Sequence, residues 1–366
     1  MKRKMVFIGL ALLLLALPLV ACAKPAPAPA PVPAPAPAPA PAPKPAPAPE
    51  KPHEPYTISI PAGRVGDPAY ALGEALAYYI NTDSEWLKAT ALATPGLTAN
   101  HELAQKEPEK YITMGVTTTW EWSARLEKWN YYDTLKWMGL VMPYTYLWVT
   151  YDENIKTMQD FAGKRVNVKR KGASDTPSVI EILKRAGVWD KLGAVEYGGF
   201  GGNRNNLKDG LVDVAVTLPT HILPAAFSKG SFIEQLETKG PLYYINTPID
   251  ILTEMAALPF EEQFGMQVIN VYPGALGKTQ PEVVTGPLVS VFFAADERMP
   301  EDVVHEVTRI IWGRAGQFGT WHPMGQNITK EWLAAYMYST DMVHPGTVKF
   351  YKEQGVEMTD IKTLLP

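Results

Sequence analysis

The sequence predicts an α/β fold, on three observations. A strand, a glycine loop and a helix start follow one another over residues 56–80. The same kind of junction recurs twice in the next 45 residues or so. Behind a processed leader and a Pro/Ala stretch there remain roughly 310 residues, enough for one large domain or two lobes.

The first unit is the one the others are read against. Residues 56–60 alternate as a short strand does, and Pro61 is expected to end it. Gly63 and Gly66 let the backbone turn without a Cβ penalty. Asp67 before Pro68 reads as an N-cap and a first helical position. Ala69, Leu72, Leu76, Tyr79 and Ile80 then share one helical face. A strand feeding a helix N-terminus in this way offers backbone N–H groups and a positive dipole end to a small anion. Taken alone, it reads first as an ordinary βα turn. The third glycine of a dinucleotide fingerprint is missing, which argues against a dinucleotide site.

Leu87–Ala93 predicts the second strand, followed by Thr94, Pro95, Gly96 and a helix from His101 to Gln105. Tyr111–Val116 predicts the third, running into Thr117, Thr118 and Thr119, with Thr118 and Glu121 at capping-box spacing. In an open α/β sheet such junctions share the edge where ligands bind. Further strands are expected at 135–141, 146–150 and 288–294, with a buried strand at Val166–Val168. Thr176 before Pro177 marks a helix start that Gly187 stops. The segment 207–216 reads as helix end, glycine turn and strand, leading into Thr217. Residues 300–313 predict an amphipathic helix.

The N-terminus reads as a targeting segment. Lys2, Arg3 and Lys4 precede an apolar run from Met5 to Leu19, short for a membrane span. The run ends in Leu19-Val20-Ala21-Cys22, which resembles a bacterial lipobox. That resemblance implies residues 1–21 as a lipoprotein signal peptide and Cys22 as a lipid-modified N-terminus. Cys22 is the only cysteine of the chain, so no disulfide can form within it. Residues 23–55 are nearly all Pro and Ala and predict an extended spacer. A Pro-rich recognition ligand is the alternative.

Composition narrows the function. Net charge is −4 and no basic stripe stands out, which makes nucleic acid an unexpected partner. Neither G-x-S-x-G nor H-E-x-x-H occurs, and the six histidines show no metal-ligand spacing. The expectation is a protein that is not an enzyme, with no cofactor and no metal.

Several weak motifs occur together in one order. They are Gly63 to Ala77 with Tyr70; Thr94, Gly96 and Asn100; Phe161 to Val166; Gly172 to Thr176; Leu207 to Asp213; Tyr272 to Leu276; and Asp296 to Val304 with His344 to Tyr351. In this order they resemble the TAXI family of solute receptors, the substrate-binding subunits of tripartite ATP-independent periplasmic (TRAP) transporters. The chain departs from that pattern at Arg64, Val65, Asp67, Thr117 to Thr119 and Leu276. The resemblance implies a type II periplasmic-binding-protein fold, two α/β lobes with a ligand cleft between them. It places lobe I at 56–146 and 286–366 and lobe II at 147–285, behind a lipid-anchored linker at 22–55. The crossings are expected near Thr145–Trp148 and near Thr285–Pro287.

The expected function is extracytoplasmic capture of a small organic acid or amino acid, with the membrane subunits of a TRAP transporter as partners. The alternative is a sensor that delivers occupancy to a membrane signalling partner. Candidate ligand-binding residues are Gly63, Arg64, Val65, Tyr70, Thr94, Gly96, Asn100, Thr117, Thr118, Ser174, Asp175, Thr176, Thr217 and Tyr272. Tyr70 serves equally to pack the first helix, and Ser174, Asp175 and Thr176 to cap theirs. Asp67 and Asp175 are expected either as caps of their own helices or as partners of a ligand ammonium. Arg170 and Lys171 read as solvated loop charges. Trp120 and Trp122 are further candidates for a cleft wall.

Overall fold

The computed structural model describes residues 53–116, 134–171, 173, 175–258, 266–336 and 339–364. The leader, Cys22, most of the Pro/Ala segment, Thr117, Thr118, Trp120, Trp122 and Ser174 lie outside the described residues.

The first lobe opens with β1 (Tyr56–Gly63), α1 (Pro68–Asp83), β2 (Leu87–Ala93) and α2 (Leu97–Lys106). β1 and β2 pair in parallel, Ile58 opposite Ala89. Contrary to expectation, Pro61 does not end β1: it pairs with Leu92, and the register shifts between Pro61 and Gly63. Proline is tolerated at such an irregularity, where the ladder needs no donor from it. α1 lies close on the strands because residue 73 has no Cβ. A Cβ there would stand 2.5 Å from that of Ala62 and 3.3 Å from Met114 Cε. The second helix starts at Leu97, not His101, because Gly96 holds a positive φ of 148° and supplies the N-cap.

β3 (Ile112–Val116) and β4 (Leu135–Thr145) follow. A parallel bridge from Ser59 to Tyr111 joins β1 to the start of the third strand. The second lobe holds β5 (Leu147–Thr150), β6 (Arg165–Asn167), α3 (Thr176–Arg185), β7 (Ala194–Glu196), α4 (Phe200–Lys208) and β8 (Val214–Thr217). It also holds α5 (Gly230–Glu237), β11 (Tyr243–Ile245) and α6 (Ile249–Ala256), while β9 (Thr220–Ile222) and β10 (Ala226–Ser228) form a separate antiparallel pair bonded to Thr145 and Asn327 of the first lobe. Its sheet runs β11-β5-β8-β6-β7, parallel among β8, β6 and β7 and antiparallel elsewhere.

β12 (Met266–Val271), β13 (Val284–Asp296), α7 (Glu301–Gly313) and α8 (Pro345–Glu353) are the main elements that follow. β13 is longer than the apolar run suggested, and antiparallel to all three partners. β12 takes its 284–289 half and β3 its 291–295 half, with β4 along the other edge. The β4–β5 connection lies against β13: Tyr146 donates its N–H to Pro287 O at 3.3 Å, and the expected second crossing at Thr285–Pro287 falls inside the continuous strand β13, not between two strands. A Cβ on Gly286 would stand 2.6 Å from Tyr146 O.

Two of the four core clusters among the described residues lie behind the cleft. Ile58, Ile60, Leu72, Leu76, Met114 and Phe293 pack with α7 in one cluster. Trp148, Phe161, Val166, Val179, Leu183, Val214 and Leu252 pack in another. The result is two α/β lobes with a cleft between their strand-end loops.

Candidate functional site

A cavity of about 510 Å³ lies between the loops of the two lobes. From the first come Arg64, Val65, Gly66 and Asp67, and then Pro95 to Thr98; from the second come Lys169, Arg170, Asp175, Gly199, Gly201, Gly202 and Leu218. Tyr144 and Phe232 add aromatic surface.

Four helices begin at this cavity, with N-caps Asp67, Gly96, Asp175 and Gly199. None of these four N-cap residues caps its helix with its own side chain. Both lobes therefore turn helix N-termini on the cavity, with first-turn N–H groups that the helices themselves cannot pair. Thr98, in the first turn of α2, lines the cavity with a buried Oγ1 that has no hydrogen-bond partner among the described residues.

The charged side chains divide by burial. Lys169 is buried, its side chain 4% exposed, and its Nζ meets Asp175 Oδ2 at 2.8 Å. The same ammonium lies 4.9 Å from the ring centre of Tyr146. Burial lowers the Lys169 pKa and outweighs the opposing pull of Asp175 and Asp67. Asp67 is shifted up, first by desolvation, against the lowering influence of Arg64, Lys169 and Arg170. Arg170 is lowered by burial and then by repulsion from Arg64. Tyr144 and Tyr146 are held in the phenol form by burial, with Asp175 nearby. The Asp175 carboxylate thus serves Lys169 and not its own helix, contrary to the capping expectation.

A family model matches residues 60–355. The chain belongs to the NMT1-like family. Solved structures similar to this NMT1-like protein include the periplasmic binding protein BugD, at 15% identity and a TM-score of 0.46, over 84% of this chain and 99% of that one. The alkanesulfonate-binding protein SsuA from Xanthomonas axonopodis pv. citri, bound to MOPS, matches at 13% identity and a TM-score of 0.41, over 81% and 83%. The aliphatic sulphonate binding protein SsuA from Escherichia coli matches at 12% identity and a TM-score of 0.41, over 85% and 98%.

Of the residues the sequence singled out, the NMT1-like fold brings Arg64, Val65, Gly96 and Asp175 to the cavity wall. Gly63, Thr94 and Asn100 stand behind it: Gly63 N donates to Thr94 Oγ1 at 3.1 Å, and that hydroxyl donates to the Asn100 amide oxygen. They brace the two first-lobe junctions against each other. Tyr70 packs on the first core cluster. Thr176 is buried and donates to Arg170 O at 2.6 Å, which ties the start of α3 to Arg170. Thr217 is buried in β8, and its neighbour Leu218 reaches the cavity instead. Tyr272 is exposed on a turn after β12, away from the cavity lining.

Sequence reasoning missed Lys169, Tyr144 and the Gly199–Gly202 helix start. It also read Arg170 as a solvated charge, whereas Arg170 is half-buried on the cavity wall. A signal for the helix start was present in Gly198-Gly199-Phe200-Gly201-Gly202, a run that lets the backbone approach a ligand closely. Lys171, beside it, is exposed.

Proposed function

We propose that this protein captures a small carboxylate-bearing solute outside the cytoplasm and delivers it to the membrane subunits of a TRAP transporter. One observation carries the ligand reading: four helix N-termini, two from each lobe, whose N-cap residues make no side-chain cap bond, open on a cavity that also holds Arg64 and Arg170. Each N-terminus favours a negative group by roughly 0.3–1 kcal/mol at an exposed site, and more where water is excluded. A cavity of about 510 Å³ suits a small organic acid or amino acid. Asp67, on the same wall, would receive the ammonium of an amino acid.

The transporter assignment rests on the ordered motifs that resemble the TAXI family, and it is finer than membership of the NMT1-like family. On this reading residues 56–146 and 286–366 move as one lobe and 147–285 as the other. They would hinge where Tyr146 meets Gly286 and Pro287. Cys22 would anchor the chain through lipid. An unmodified Cys22 in mass spectra of the native mature protein would refute the anchor.

The test is an unbiased thermal-shift screen of organic acids, amino acids, neutral solutes and cations. Small carboxylates are expected to raise the melting temperature with saturable concentration dependence. Stabilisation by neutral or cationic solutes alone would overturn the ligand reading.

A further inference from the structure

Arg64 and Arg170 are rooted on opposite walls of the cleft; Arg170 ends against the other wall, and Arg64 reaches toward it. Arg64 stands in the loop between β1 and α1. Its Nη1 lies 3.7 Å from where a Cβ on Gly199 would be, at the N-cap of α4. Arg170 follows β6. Its Nη2 lies 2.7 Å from where a Cβ on Gly96 would be, at the N-cap of α2. Arg64 Nε also donates to Pro95 O at 3.3 Å. Both guanidinium groups line the same cavity.

This arrangement carries an electrostatic conflict. The Arg170 guanidinium is pressed against the N-terminus of α2 and the Arg64 guanidinium lies near that of α4, the helix end that repels cations. The two arginines also repel one another. Asp175 is engaged by Lys169, and Asp67 faces Arg64, Lys169 and Arg170 together. Three cations thus meet two carboxylates where the lobes come together. An anion between the guanidiniums and the N-termini resolves both repulsions at once.

We propose that Arg64 and Arg170 form a reciprocal latch, in which closing the cleft drives each guanidinium onto the opposite wall's helix N-terminus and only a bound anion makes that contact favourable. The inference rests on the reading of the cleft as an anion site. It adds Arg170 as a second specificity-determining residue and makes lobe closure, not only binding, depend on solute charge. Glycine at 96 leaves room for the crossing Arg170 side chain; an alanine there would displace its guanidinium.

The test measures closure directly. The body has no cysteine, so the full chain with Cys22→Ser can carry spin labels at Lys88→Cys and Lys184→Cys, both exposed and on opposite lobes. Inter-label distances are recorded by pulsed electron resonance at low ionic strength, with sulfate, succinate or chloride as probes. The wild type should pass to a shorter distance with sulfate or succinate, and far less with chloride. Arg170→Gln and Arg64→Gln should each require at least tenfold more probe, and should show more of the short distance before any probe is added. Arg170→Lys, which keeps the charge, should retain the dependence on anion.

Two results would overturn the latch: a wild type that closes equally without the anion, or glutamine variants that respond as the wild type does. If sulfate closes the wild type through both arginines while no organic acid binds, the latch stands and the solute reading fails. If succinate binds and closes wild type and variants alike, the solute reading stands and the latch fails.

Discussion

In the first lobe Asp67 precedes Pro68 at the start of α1; in the second Asp175 precedes Thr176 and Pro177 at the start of α3. Both aspartates are N-caps without a side-chain cap bond, and both line the same cavity. An arginine lies close upstream of each, Arg64 and Arg170. Their surroundings differ. Arg64 to Gly66 are exposed, whereas Asp175, Thr176 and Lys169 are buried, and the Lys169–Asp175 pair is sealed under Tyr146. The same strand-to-helix junction therefore presents an exposed arginine on one wall and a buried, internally neutralised ion pair on the other. Burial, not local sequence, separates the two roles.

Breaking the buried pair should have the largest effect. Lys169→Ala leaves the Asp175 carboxylate buried without its counter-ion, and a loss of about 3–5 kcal/mol in stability is expected. Urea unfolding of wild type and variant measures it. The exposed Arg64→Ala should change stability by no more than about 0.5 kcal/mol in the same experiment. Equal losses in the two variants would erase the distinction between the walls.

A pH effect of intermediate size sharpens the comparison by separating the cavity walls from what lies behind them. His101, in α2, and His221, beside the β4–β5 connection, are both buried, and burial holds each pKa at about 4. The unfolded chain protonates these groups near pH 6.5 and the folded chain does not. Their contribution is therefore complete above pH 6.5 and is lost as pH falls toward 4. On the order of 2 kcal/mol per histidine should be gone at pH 5. Replacing His101 by Gln should flatten the fall in urea midpoint between pH 7 and pH 5 by that amount. An unchanged slope would show that His101 does not carry it.

The smallest effect is expected furthest from either wall. His53 stacks on Trp86 at 4.3 Å and pairs with Asp302 at 3.2 Å, so it belongs to the body although it falls within the expected spacer. Deleting residues 23–52 should leave solute affinity within tenfold, about 1.4 kcal/mol. A larger loss, measured by calorimetry, would mean that the segment takes part in binding.

The first wall was largely legible in the sequence because its signals are local. Gly63, Asp67 and Pro68 state a turn and a helix start within six residues, and the structure puts both there. The second wall was not. Lys169 and Asp175 are six residues apart, but what buries the pair comes from elsewhere in the chain, with Tyr146 of the β4–β5 connection against the ammonium. Arg170 looked solvated because its surroundings are set by Gly96, more than seventy residues earlier on the opposite lobe. Pro61 misled in the other direction. As a local rule proline ends a strand, but here a register shift absorbs it. Gly96 was picked for its position before a helix, and what it does, admitting Arg170, depends on how the two lobes meet.

The central claim is that this cleft recognises negative charge through groups from both lobes. Titration calorimetry of the wild type and Arg64→Ala against dicarboxylates, acidic amino acids and their neutral amides tests it most directly. The account predicts saturable binding of an acid, no binding of its amide, and a loss of about 1–3 kcal/mol on removing the guanidinium. Tight binding of a neutral or cationic solute, with Arg64→Ala silent, would contradict it.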